Sequence, residues 1–73
     1  MTTLPHNGDR IRLLSMTDDP DPIPAGATGT VRGVTSHGAG ENAWHQIDVR
    51  WDNGRTLLLV VPPDVFEIVA SDD

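Results

Sequence analysis

Apolar and polar residues alternate over short stretches of this chain, and glycine or proline interrupts each stretch. No window sustains apolar residues at i, i+3, i+4 and i+7, so helix is almost absent. Recurring short alternations predict a small all-β barrel or sandwich. The first strand is Asp9 to Ser15, where Ile11 and Leu13 alternate with Arg10 and Arg12 and give one apolar and one basic face. The second runs from Thr28 to Val34 with Val31 inward and Arg32 outward, and Gly29 and Gly33 mark bends or bulges. The polar run from Ser36 to Asn42 reads as a loop. The third strand is Trp44 to Trp51, with Ile47, Val49 and Trp51 on one face and Gln46, Asp48 and Arg50 on the other. Asp52-Asn53-Gly54 is the strongest turn signal and leads into a fourth strand, Arg55 to Val61. Pro62-Pro63-Asp64 ends it, because proline cannot continue a ladder, and a last short strand covers Phe66 to Val69.

Two hairpin registers are open at the turn. A two-residue Asn53-Gly54 loop sets Val49 opposite Leu58 and Ile47 opposite Val60, with Thr56 on the core face. A three-residue loop with Gly54 left-handed sets Val49 opposite Leu57 and Ile47 opposite Leu59, with Thr56 outward beside Arg50. A slip of one residue flips the whole strand. The three-residue loop is favoured because it keeps threonine out of the core, at the cost of turning Leu58 and Val60 outward.

Between the first two strands lies MTDDPDPIPAGATGTV, residues 16–31. Pro20, Pro22 and Pro24 push Asp19, Asp21 and Ile23 toward extended angles, so the segment is a stiff arm with little entropy left to lose. One reading is structural: a small barrel needs a long loop that does not wander. The other is functional: Asp18, Asp19 and Asp21 form a preorganised acidic arm for an arginine- or lysine-rich partner.

Size and charge narrow the choices. Seventy-three residues make one domain, which buries only about 60% of its unfolded surface. We divide it into a flexible N-terminus over 1–7, a barrel over 8–69 and an acidic disordered tail over 70–73. Cysteine is absent, which excludes disulfides and thiolate metal sites and fits a reducing, cytoplasmic compartment. The start, MTTLPHNGDR, has no apolar signal-peptide region, and no run approaches the length of a membrane span. Eleven acids against five bases, all arginine, give a net charge of −6. That balance disfavours phosphate backbones and anionic membranes and suits a basic protein partner or simple solubility.

The order of elements, with a long loop after the first strand, a polar loop after the second, a tight hairpin and a proline turn before the fifth, resembles the SH3-like barrel. The segments GDRIRLLSMTDDPDPIPAGATGTVRGV and IDVRWDNGRTLLLV…FEIV further resemble a family of small bacterial, plasmid and phage domains of unknown function. That resemblance implies the barrel fold and a mobile-element or actinobacterial-type setting, and it implies no activity, cofactor or site residue. In such a setting the partner would be a host protein that the domain modulates. In signalling SH3 domains the equivalent loop is acidic and grips a ligand arginine. GDRIRLL followed by GATGTVRGV also resembles, more faintly, the KOW-type motif of ribosomal and transcription-factor barrels, from which this chain departs in having no lysine and an acidic first loop.

Candidate chemistry is sparse. Trp44 has the opposite parity to Ile47, Val49 and Trp51 and so points outward, either as an interface anchor beside Leu58 and Val60 or folded over the open end against Pro62 and Pro63. Trp51 and Phe66 read as core, and with no tyrosine the chain lacks a polyproline groove. GAGENA matches a dinucleotide-binding pattern by chance, since no helix or parallel sheet follows. Asp18, Asp19 and Asp21 lack the glycine and glutamate of a calcium loop, and His6, His37 and His45 share no ligand spacing, so no metal or other cofactor is expected. Ser36 and His37, adjacent in a flexible loop, have no fixed geometry for nucleophilic catalysis, and His45 caps the core or sits at its rim. The expectation is a non-enzymatic protein-interaction module using Asp18, Asp19, Asp21, Trp44 and Leu58. The alternative is a KOW-like nucleic-acid-binding barrel using a stripe of Arg10, Arg12, Arg32 and Arg50. Self-association through the exposed sheet is a third course.

Overall fold

A computed structural model describes residues 4–17 and 20–70. Five strands form one antiparallel sheet: β1 (Arg10–Ser15), β2 (Thr28–His37), β3 (Trp44–Trp51), β4 (Leu59–Val61) and β5 (Val65–Ala70). A 3-10 turn, Gly40–Asn42, links β2 to β3. The spatial order β4-β3-β2-β1-β5 returns the last strand to the side of the first, as an SH3-like barrel requires. The fold is therefore the expected small all-β type, and among the described residues no helix is long and apolar enough to cross a membrane.

The alternation reads directly into the core. Ile11 and Leu13 of β1, Val31 of β2, Ile47, Val49 and Trp51 of β3, and Leu59 and Val61 of β4 are all buried, with Phe66 and Ile68 of β5 packed against them. Arg32 and Gly33 together face Asp48, a bulge that bends β2 where the barrel turns. Gly29 lies so close to β3 that a Cβ there would stand 2.7 Å from a Val49 methyl and 2.8 Å from the Arg50 carbonyl oxygen.

The hairpin takes the three-residue register. Ile47 pairs with Leu59, Gly54 has φ +88°, and Thr56 is exposed. The ladder, however, is confined to Leu59–Val61, shorter than the expected Arg55–Val61. The Trp51 N–H meets the Arg55 carbonyl at 3.3 Å to close the turn, and then the buried Trp51 indole N–H takes the Leu57 carbonyl at 2.9 Å. That carbonyl is spent on a side chain.

A second departure concerns residues 36 and 37. Ser36 and His37 lie within β2, opposite His45 and Trp44, and not in a flexible loop. Side chains hold this distal end of the hairpin: Ser36 Oγ and His45 Nδ1 share a 2.9 Å hydrogen bond, and so do His37 Nε2 and Gln46 Oε1. The His37 and Trp44 rings stack at 4.2 Å and 20°. Cross-strand pairs of this kind stabilise a sheet whose local composition is polar.

The proline-rich loop is fastened at several points. Ile23 is buried in the core, and its N–H meets the Met16 sulfur at 3.4 Å. The Gly26 N–H donates to the Leu13 carbonyl and the Leu13 N–H to the Ala27 carbonyl, both at 2.8 Å. Arg55 reaches across from the β3–β4 turn and donates to the Asp21 carbonyl at 2.8 Å and the Pro22 carbonyl at 3.3 Å.

Candidate interaction surface

Side chains alternate across a strand, so the residues of β3 that do not enter the core share its outer face. These are Trp44, Gln46, Asp48 and Arg50. Gln46 faces Val60 on one side and Thr35 on the other, and Leu58 immediately precedes β4, next to the Ile47–Leu59 pair. Trp44 is 37% exposed and Leu58 43%, and Val60 between their levels is half-buried. The outer face of β3 and β4 thus carries an apolar strip. Trp44 and Asp48 are four positions apart, about 13 Å along the strand. Trp44 and Leu58 mark the two ends of the strip and do not touch across it. Trp44 points outward as its parity predicts, and its ring is stacked on His37, a partner that neither sequence reading of it names.

The acidic arm lies elsewhere. Of its three aspartates, Asp18 and Asp19 lie outside the described residues. Asp21 has its carboxylate 3.4 Å from Arg55, which docks it at the turn end of β3, while Trp44 occupies the other end. The eight residues of β3 span roughly 23 Å, so Asp21 and Trp44 do not form one patch. Sequence reasoning misses Arg55 as the clasp, because nothing local links it to a loop more than thirty residues earlier.

The four arginines of the alternative stripe divide into two pairs. Arg10 makes a two-pronged contact with Asp52, at 2.8 and 2.5 Å, and donates to Thr30 at 2.9 Å. Arg12 pairs with Glu67 at 2.7 Å. Arg32 and Arg50 are exposed and, among the described residues, make no ion pair. The hydrogen bond from Arg10 and a second from the Thr28 hydroxyl hold the Asp52 carboxyl well below the usual carboxylate range, and the same contact raises Arg10. A hollow of about 410 Å³ beside this pair is lined by Thr30, Arg50, Trp51, Asp52 and Gly54. Its one carboxylate is already engaged by Arg10 and Thr28.

Two buried carboxylates have structural duties. Asp9 accepts the His6 backbone N–H at 2.8 Å. Asp64 accepts the Val60 N–H at 2.9 Å and returns its own N–H to the Val60 carbonyl at 2.9 Å. Among the described residues no buried side-chain nitrogen or oxygen lacks a partner, and no three metal-binding side chains gather.

Neither the curated proteins nor the solved structures contain a match to this chain. One family model does match, over residues 4–69, which takes in all five strands but the last residue of β5, the fastened loop and the apolar strip. The chain belongs to that family, described as a domain of unknown function, DUF4314.

Proposed function

We propose that the domain is a non-enzymatic protein-interaction module that docks through the outer face of β3 and β4. One observation carries the reading: Trp44, Val60 and Leu58 expose an apolar strip on a rigid two-strand platform, in a chain of net charge −6 whose other outward positions there are polar. A tryptophan held at a fixed angle loses little entropy on binding and is a favoured anchor. The His37 stack supplies that constraint. Asp48 on the same face and the chain's net charge of −6 steer a partner with a basic rim. In a phage or plasmid setting that partner is a host protein.

The nucleic-acid reading has less support. Phosphate binding draws on unpaired cations, and Arg10 and Arg12 are already committed to Asp52 and Glu67. The test is capture by the immobilised domain from a host lysate, with and without nuclease, beside a Trp44→Ala/Leu58→Ala variant. A discrete protein that survives nuclease and is lost with the variant supports docking. Material that vanishes with nuclease and ignores the variant overturns it.

A further inference from the structure

The sheet has two edges, and they are treated differently. At β4 the edge is closed. The strand has three residues, Asp64 occupies both the outward N–H and the outward carbonyl of Val60, and two prolines follow. These are devices by which proteins keep an edge from pairing with another chain. At β5 the edge is open. The strand has six residues, contains no proline or lysine, and among the described residues pairs only with β1. Among the described residues no backbone or side-chain group from elsewhere bonds to its far side. Val69 is bulged out of the pairing, so the stretch of β5 without a bulge of its own is Val65–Ile68, although β1 bulges opposite it between the Phe66 and Val65 levels. Val65 is 48% exposed on this run, beside Leu14, the extra residue where β1 bulges.

We propose that Val65–Ile68 of β5 accepts a sixth strand from an extended, lysine- or arginine-containing segment of a partner protein. The open backbone specifies an extended polypeptide, since main-chain hydrogen bonds carry the affinity in strand addition. Charge specifies its kind. Arg10 and Arg12, the cations on the neighbouring β1, are neutralised by Asp52 and Glu67, and the two arginines without an ion pair lie on β2 and β3. Glu67, the charged residue of β5 itself, is spent on Arg12, so among the described residues the strand and its neighbour carry no unpaired cation and the chain's net charge of −6 sets the field around them. A basic strand is drawn by that net charge, whereas a second copy brings a further −6. The inference rests on the reading of the domain as a protein-docking module but uses a different surface from Trp44.

The experiment titrates the full chain with the peptide Lys-Val-Lys-Val-Lys-Val-Lys, fluorescently labelled, and with a control in which the valines are replaced by prolines. Binding is read by anisotropy, and backbone amide exchange is followed residue by residue. The proposal expects the valine peptide to bind, the control to bind at least about tenfold more weakly, and the outward amides of residues 65–68 to slow in exchange. It also expects Trp44→Ala to leave this binding unchanged. Equal binding of both peptides without β5 protection is plain charge attraction and overturns it. Loss of binding in Trp44→Ala with β5 unprotected places the peptide on the strip, which overturns strand addition and leaves the docking module standing. No binding overturns strand addition alone, since capture through Trp44 is measured separately. Doubling of mass with β5 protection in the absence of peptide makes the occupant a second copy, and overturns the basic partner.

Discussion

Arg10 on β1 and Asp52 at the β3–β4 turn, 42 residues apart, are joined by two hydrogen bonds side by side, with Thr28 donating a third to the same carboxylate at 2.7 Å. One residue therefore ties three strands together on the outer face. Its carboxyl is held below the ordinary value of about 4, so its contribution to stability is complete above that pH and is lost as pH falls further. Asp52→Asn is expected to melt lower than the natural chain at neutral pH. The difference should shrink steadily once the pH drops below about 4. Thermal unfolding of both proteins across pH 7 to 2 measures it, and a gap that stays constant over that range refutes the assignment.

Ile23 supplies the second expectation. It is 2% exposed, on a loop whose neighbours are proline and aspartate, and it belongs to the same buried core as Leu13 and Trp51. Ile23→Ala should cost about 2–5 kcal/mol, a large share of what so small a domain has. Arg55→Ala should cost far less globally but should speed amide exchange in residues 20–27, because it removes the clasp on Asp21 and Pro22. Urea unfolding and hydrogen exchange separate the two effects. An Ile23 variant as stable as the natural chain would mean that the loop is not part of the core.

How far these features were legible depended on whether the signal was local. The alternation Ile47, Val49, Trp51 placed β3 to the residue, and Thr56 favoured the observed register over its alternative, because burying threonine has a cost visible in the sequence. Trp44 and Leu58 were found on the outer face by the same parity. Ile23 was missed as core, although a lone isoleucine between two prolines is a signal in hindsight. The distal half of β2 was missed because Ser36 and His37 pair through side chains on the partner strand and carry no apolar alternation of their own. Arg10–Asp52, Arg12–Glu67 and Arg55–Asp21 span 34 to 55 residues, and no periodicity connects such partners. The arginine stripe was thus correct in placing its residues outward and silent on which of them were spent.

Gly29 gives a steric test of the closeness of β2 and β3. A Cβ at this position meets a Val49 methyl and the Arg50 carbonyl at under 3 Å, and the second of these is backbone that cannot swing aside. Gly29→Ala should destabilise by about 1–3 kcal/mol, against the usual gain when alanine replaces a strand glycine. Gly33→Ala is the control, since nothing lies within 4 Å of its Cβ. Chemical denaturation of both variants decides it, and equal stability of the two would contradict the close approach.

Asp64 gives the last test, of whether the β4 edge is closed by design of the turn. Its side chain and backbone occupy both outward groups of Val60, and the carboxylate is buried. Asp64→Ala leaves the Val60 N–H without its partner, on an edge whose outer face already carries Leu58. An unmade buried hydrogen bond costs about 1–3 kcal/mol, and an uncapped apolar edge invites pairing with another chain. The variant should therefore be less stable and should self-associate as its concentration rises. Asp64→Asn keeps an acceptor oxygen at the same reach and should sediment as the natural chain does even if some stability is lost. Sedimentation at two concentrations reads the association, and denaturant unfolding reads the stability. If Asp64→Ala loses stability yet stays monomeric at both concentrations, Asp64 secures the turn only, and the protection of β4 must lie in its three-residue length and the prolines that follow.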